Sequence, residues 1–201
     1  MKTVKGQLTH RRRQALATQK LIVETAQDLF LEHGYTATTI EAIAAGAGVA
    51  ASTIYAIFGS KRGILSAIRE AWHEESGQRS IYQTANEESD PRRRLELAAH
   101  ATRRQWETGD RMVAVYRSAA TADAEAAEEL NLALQGRRAG MNQFINALSP
   151  SLRPGLDSDR AAGIFRALTL HELYQELVDG SGWSPDEYET WLADLLKQQL
   201  L

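Results

Sequence analysis

Ser52, Thr53, Tyr55 and Lys61 place three hydroxyls and an ammonium within ten residues of one another, and Val49 to Gly63 holds no acidic side chain. Hydroxyls and an ammonium all donate, and the acceptors they suit are phosphate oxygens. The small side chains among them, Ala51 and Ala56, allow close approach to base edges, and an alanine methyl can touch a thymine methyl. Upstream, Arg11, Arg12 and Arg13 add three adjacent cations, and Lys2 and Lys5 extend the basic run toward the N-terminus. The chemistry this points to is contact with a polyanion.

Other constellations are weaker. Gly46-Ala47-Gly48 has neither the preceding strand nor the third glycine of a dinucleotide loop, and "GSKRG" lacks the spacing of a P-loop. Five histidines are scattered without an H-E-x-x-H pattern, so no metal site is expected, and no cofactor. Ser181 in "DGSGW" reads as a turn residue far from any suitable histidine and aspartate. Glu74-Glu75 and Glu128-Glu129 read as solvated faces. No catalytic residues are assigned, and the chain is not expected to be an enzyme.

The elements that must position the donors follow from the pattern. Ile22, Ala26, Leu29 and Phe30 fall on one helical face, ending at Gly34. "TTIE" offers Thr38 as a cap with Glu41 reaching back, opening a short helix from Thr38 to Gly46 with Ile40, Ile43 and Ala47 inward. A turn at Gly48 leads to a second short helix, about Ala50 to Phe58, with Ile54 and Phe58 inward. Ala51, Ser52, Thr53, Tyr55 and Ala56 are then left outward. Gly59-Ser60 stops that helix and caps a longer one from Lys61, where the dipole and the ammonium both favour a phosphate. Two short helices about a glycine turn are the sequence form of a helix-turn-helix, whose second helix enters the major groove.

Charge supports this division of labour. The chain of 201 residues carries a net charge of −3, yet residues 1–70 balance at +4 and the remainder at −7. A basic front on an acidic body suits a polyanion at the front only. There is no cysteine, which excludes disulfides and thiolate metal sites. No apolar run reaches the roughly 18 residues of a membrane span, so no membrane partner is expected. The N-terminus lacks the apolar core of a signal peptide.

The segment "GYTATTIEAIAAGAGVAASTIYAIFGSKRGIL" resembles the DNA-binding domain of the TetR (tetracycline-repressor-like) family of bacterial transcription regulators. Phe30, Gly34-Tyr35, Thr38-Thr39, Ile43-Ala44, Ala47-Gly48-Val49, Thr53-Ile54-Tyr55, Phe58 and Ser60-Lys61 carry the likeness. It implies an all-α protein: a basic arm and three-helix helix-turn-helix domain over 1–62, and a larger helical ligand-binding and dimerisation domain over 63–201. It implies a homodimer through the two C-terminal helices, Ser158–Val178 and Pro185–Leu201, with Phe165, Leu168, Leu192, Leu195 and Leu196 at the contact. It further implies a double-stranded operator, a small-molecule effector and a bacterial cytoplasmic location. The DNA-contacting set is then Arg11, Arg12, Arg13, Thr38, Thr39, Ala51, Ser52, Thr53, Tyr55, Ala56 and Lys61. Two departures stand out: Ala50 replaces a capping serine, and Ala56-Ile57 replace aromatic or histidine residues.

The second half reads as longer helices: one opening at Asp90-Pro91 with Leu95, Ala99, Thr102 and Trp106 inward, one from Asp110, and one from about Asp123 to Leu148. On the last, Leu130, Leu134, Met141, Ile145 and Leu148 are expected inward. Trp106, Tyr116, Met141, Phe144, His171 and Tyr174 are expected to line an apolar effector cavity with a few polar anchors. Arg137 shares the Leu134–Met141 stripe, so it snorkels, pairs with a structural carboxylate, or faces an anionic ligand. The helix from Lys61 to Trp72 is the expected lever between cavity and recognition helices. The function that follows is a repressor released by a ligand; the rival is a helical adaptor of the same fold without specific DNA binding.

Overall fold

A computed structural model describes residues 10–201, and every regular element in that span is helical. In chain order these are α1 (His10–His33), α2 (Ile40–Ala47), α3 (Ala51–Phe58), α4 (Lys61–Ser76), α5 (Gln78–Glu87), α6 (Pro91–Glu107), α7 (Asp110–Ala122) and α8 (Ala124–Asn146). After a 3-10 turn at Ser149–Ser151 come α9 (Ser158–Leu168), α10 (His171–Tyr174), a π-helical turn at Gln175–Gly180, and α11 (Pro185–Leu200). Packing divides the chain into two compact units, Met1–Ala71 with Arg111–Ala127, and Trp72–Asp110 with Glu128–Leu201. That division falls later than the boundary drawn at residue 62 and assigns residues 111–127 to the first unit.

In the first unit the apolar stripes close on one core. Ile22, Ala26, Phe30, Ile43, Ile54, Ile64 and Leu65 are almost wholly buried, joined by Val115 and Tyr116 of α7. The Tyr116 hydroxyl donates to Leu65 O at 3.0 Å, tying α7 to α4 within this core. Arg11, Arg12 and Arg13 lie on α1 and are exposed, rather than on an extended arm. No proline or glycine interrupts the run from His10 to Phe30, and its arginines, glutamines and alanines are good helix formers. Lys2 and Lys5 lie outside the described residues.

In the second unit α6 packs against both α5 and α11. Leu95, Ala99, Thr102 and Trp106 face inward as their spacing predicts, and Tyr188, Leu192 and Leu196 of α11 and Phe144, Ile145 and Phe165 are buried in the same unit. α11 opens with a full capping box between Ser184 and Glu187 and Pro185 at its first position. Two expectations fail here, and one element had not been anticipated. Gln78–Glu87 forms a helix that the pattern did not suggest, begun after Gly77 in the left-handed conformation. Leu134 is 54% exposed, because burial along α8 in this unit starts only at Met141. The continuous helix Ser158–Val178 is broken: Thr169 ends α9, and Leu170 is extended, with ψ 149°.

Candidate nucleic-acid interface and effector site

α2 and α3 turn through 107° at their connection. Gly48 (φ +65°) makes the turn, and its amide and that of Val49 close the α2 carbonyls of Ala45 and Ala44. Thr39, not Thr38, caps α2: its hydroxyl accepts from Ala42 N at 3.1 Å, so the cap lies one residue later than expected and Glu41 is out of register for a capping box. Thr38 is 2% exposed, and its hydroxyl donates to Leu29 O and Gly34 O, closing the end of α1. Its hydroxyl therefore serves the end of α1, where the sequence reading had assigned it to DNA.

Lys61 is also engaged. Its ammonium donates to Tyr35 O at 2.8 Å and Thr38 O at 3.2 Å and lies 4.3 Å from the Tyr35 ring centroid. Two of its three donors thus pin the α1–α2 connection to the start of α4, and one is left for an outside acceptor. Ser60 caps α4 through Gly63 N, and Gly63 is required: a Cβ there would sit 1.9 Å from Phe58 O. α3 therefore sits hard against the first turn of α4.

What α3 presents is legible residue by residue. Ile54 is fully buried; Ser52, Tyr55, Ala56 and Ile57 are exposed, and Ala51 and Thr53 half-exposed. Ile57, 42% exposed, belongs to this face although outward residues were assigned only as far as Ala56. Ala50 occupies the N-cap position in extended conformation without a side-chain cap. A short uncapped helix, turned across a partner and offering hydroxyls and methyls, defines a helix-turn-helix protein with a helical body.

Residues 22–68 match the family model of the bacterial regulatory proteins of the tetR family. That family is one of regulators, not of enzymes. The chain is also similar to solved structures of such regulators. One is NalD, the secondary repressor of the MexAB-OprM multidrug efflux pump in Pseudomonas aeruginosa, at 22% identity and TM-score 0.69, covering 93% of this chain and 98% of that one. Another is the regulator FadR from Bacillus subtilis in complex with stearoyl-CoA, at 20% identity and TM-score 0.64, covering 88% and 96%. A third, of the TerR/AcrR family from Aquifex aeolicus, has 22% identity and TM-score 0.61, covering 90% and 98%. At such identities the likeness speaks for the shared fold. No curated protein matches the chain.

The residues expected around an effector are partly brought together. Trp106 Nε1 and Arg137 Nη2 both donate to Thr169 O, at 3.1 and 2.7 Å, and the guanidinium lies 5.5 Å from the Trp106 ring centroid. The break between α9 and α10 thus exposes one carbonyl to two buried donors. His171 packs 4.9 Å from Trp106 and shares a 2.8 Å hydrogen bond with Asp110 through Nε2. Phe144 lies between Phe165 and Tyr82, Tyr174 meets Tyr188 edge-on, and Met141 is buried. Tyr116 is placed elsewhere, in the first unit, with its hydroxyl already bonded.

Sequence reasoning missed Tyr82, Thr169 and Tyr188, the first because α5 was not read as a helix. Three buried atoms in this region, Tyr188 Oη, Arg137 Nε and His171 Nδ1, have no hydrogen-bond partner among the described residues. Burial pushes the Tyr82 phenol up, against the pull of the Thr102 hydroxyl and the Arg137 charge. It pushes Tyr188 up as well, and Tyr174 to about 12. Burial also lowers the Arg137 guanidinium, with Glu172 among the groups opposing it. An open groove of about 590 Å³ reaches Arg137 and none of the other expected residues.

Proposed function

We propose that the protein is a homodimeric transcriptional repressor, acting in the bacterial cytoplasm and released from a palindromic operator by a small-molecule effector. The observation that carries this reading is the exposed face of α3, with Ser52, Tyr55, Ala56 and Ile57 standing out from a helix turned through 107°. Residues 1–62 serve as the DNA-binding part and 63–201 as the effector-binding and dimerisation part. Ser52, Thr53 and Tyr55 donate to phosphates; Ala51 and Ala56 approach bases. Thr39, exposed at the N-terminus of α2, and the last donor of Lys61 add contacts at helix ends. Arg11–Arg13, exposed on α1, add three cations for phosphates.

Dimerisation is proposed through α9 and α11, by residues other than most of those first chosen. Phe165, Leu192 and Leu196 are fully buried inside one subunit, whereas Ile164, Leu168, Trp191 and Leu195 are half-exposed. Each pair is four residues apart and shares a helical face. The effector acts in the second unit near Trp106, Arg137, Met141, Phe144, His171 and Tyr174, and α4, which has residues in both units, conveys the change. The supporting observation is the set of unpartnered polar atoms there.

The experiment is protection of the DNA upstream of the protein's own coding sequence, with wild type and with the double variant Leu168→Asp, Leu195→Asp. The reading expects two protected half-sites about one helical turn apart, lost in a monomeric double variant. No protected site for a folded dimeric wild type would refute it.

A further inference from the structure

The groove that reaches Arg137 is built from α8 and the end of α9. Leu134, Ala167 and Leu170 form an apolar wall, and Arg137, Arg138 and Arg166 supply three cations. Leu134 and Leu170 are 54% and 44% exposed. The other lining side chains are the amides Asn131 and Gln135, so no carboxylate faces the groove.

Arg137 is the key group. Its Nη2 is held by the carbonyl and hydroxyl of Thr169, and its Nε is buried without a partner. No ion pair with a carboxylate is formed by it among the described residues, although the Glu172 charge acts on it. A partly buried guanidinium without a counter-ion pays desolvation that neutral acceptors offset only in part. Arg138 at the rim forms no ion pair among the described residues, and Arg166 donates to the Asn142 amide oxygen.

We propose that this groove binds a small organic anion with an apolar body, the anionic group on Arg137 and the body along Leu134, Ala167 and Leu170. The inference rests on the effector-responsive reading above and names the chemistry of its effector. The groove's volume of about 590 Å³ accommodates a ligand of ordinary small-molecule size. Binding would compete with Thr169 O for the guanidinium. Since Trp106 shares that carbonyl, the anion would be felt at the break between α9 and α10.

The test is calorimetric titration of the full chain, without DNA, using decanoate, decanol and inorganic phosphate. Decanoate should bind at least roughly tenfold more tightly than either, the worth of a charge-assisted hydrogen bond or of the apolar wall. Arg137→Gln should abolish the preference for acid over alcohol, and Arg137→Lys should restore part of it. Leu170→Asp, a surface change that leaves the core intact, should weaken decanoate by a similar factor, and Arg153→Gln should change nothing. Equal binding of acid and alcohol, binding of phosphate as tight as decanoate, or no binding of any of the three would overturn the proposal. So would an undiminished acid preference in a folded Arg137→Gln or Leu170→Asp protein. Because no DNA is present, these outcomes are independent of whether the chain binds an operator.

Discussion

At Lys61 the residue type announces one role and the surroundings add another. A lysine at a helix start beside a helix-turn-helix suits a phosphate, yet two of its three donors hold Tyr35 O and Thr38 O. Charge-assisted hydrogen bonds of this kind contribute about 1.5–3 kcal/mol each when formed in a shielded place. Lys61→Met removes both and should lower the unfolding free energy by at least about 3 kcal/mol, measured by urea denaturation. A residue that touched only phosphate would leave stability unchanged while weakening DNA binding. Thr38 carries the same lesson. The side chain was legible as a hydroxyl near a helix start, but its partners, Leu29 O and Gly34 O, belong to the preceding helix. Spacing along the chain does not reveal which of two adjacent threonines turns inward.

At the scale of elements, α3 is eight residues long and begins without a side-chain cap at Ala50, whose φ of −74° and ψ of 144° suit a capping serine. Ala50→Ser should stabilise the first unit by about 1 kcal/mol. A rise in its thermal midpoint checks this, and no rise would mean that the α3 N-terminus is satisfied in some other way. Where punctuation was strong, elements were legible: Asp90-Pro91 opens α6, Gly59-Ser60 separates α3 from α4, and Pro185 opens α11. Where the cause is tertiary, they were not. Nothing local in "RALTLHELY" signals a helix break; the break answers Trp106 and Arg137, whose donors come from other helices to Thr169 O. Leu134 fits an apolar stripe by period, yet no core residue covers it. The recognition face was readable because it is made by one short helix, and the effector region was only partly so because side chains from six helices meet there.

Over the whole molecule, ionisation gives the fold a defined pH window at its alkaline end. Burial raises Tyr82, Tyr174 and Tyr188 above the ordinary phenol value, Tyr174 to about 12. A raised folded value means stability that is fully present below the unfolded value of about 10 and is lost as pH climbs through the folded ones. Unfolding free energy should thus hold up to about pH 10 and fall steeply above it. Tyr188→Phe removes a hydroxyl without a partner and should make that fall shallower, with neutral stability changed by less than about 1 kcal/mol. An unchanged alkaline limb in the variant would show that Tyr188 does not contribute to it.

The charge asymmetry, +4 over residues 1–70 against −7 beyond, belongs to the same scale and bears on the central claim. If each subunit of a dimer neutralises three or four phosphates, the slope of log affinity against log salt should be roughly −5 to −7. The direct measurement is the affinity of the purified protein for a duplex of its own upstream DNA, between about 0.05 and 0.3 M salt, a range in which phosphate contacts dominate the change. The account predicts a slope in that interval and a matching loss of affinity as salt rises. Binding that is absent, or whose slope is near zero, would contradict it and leave a helical interaction protein with the same fold.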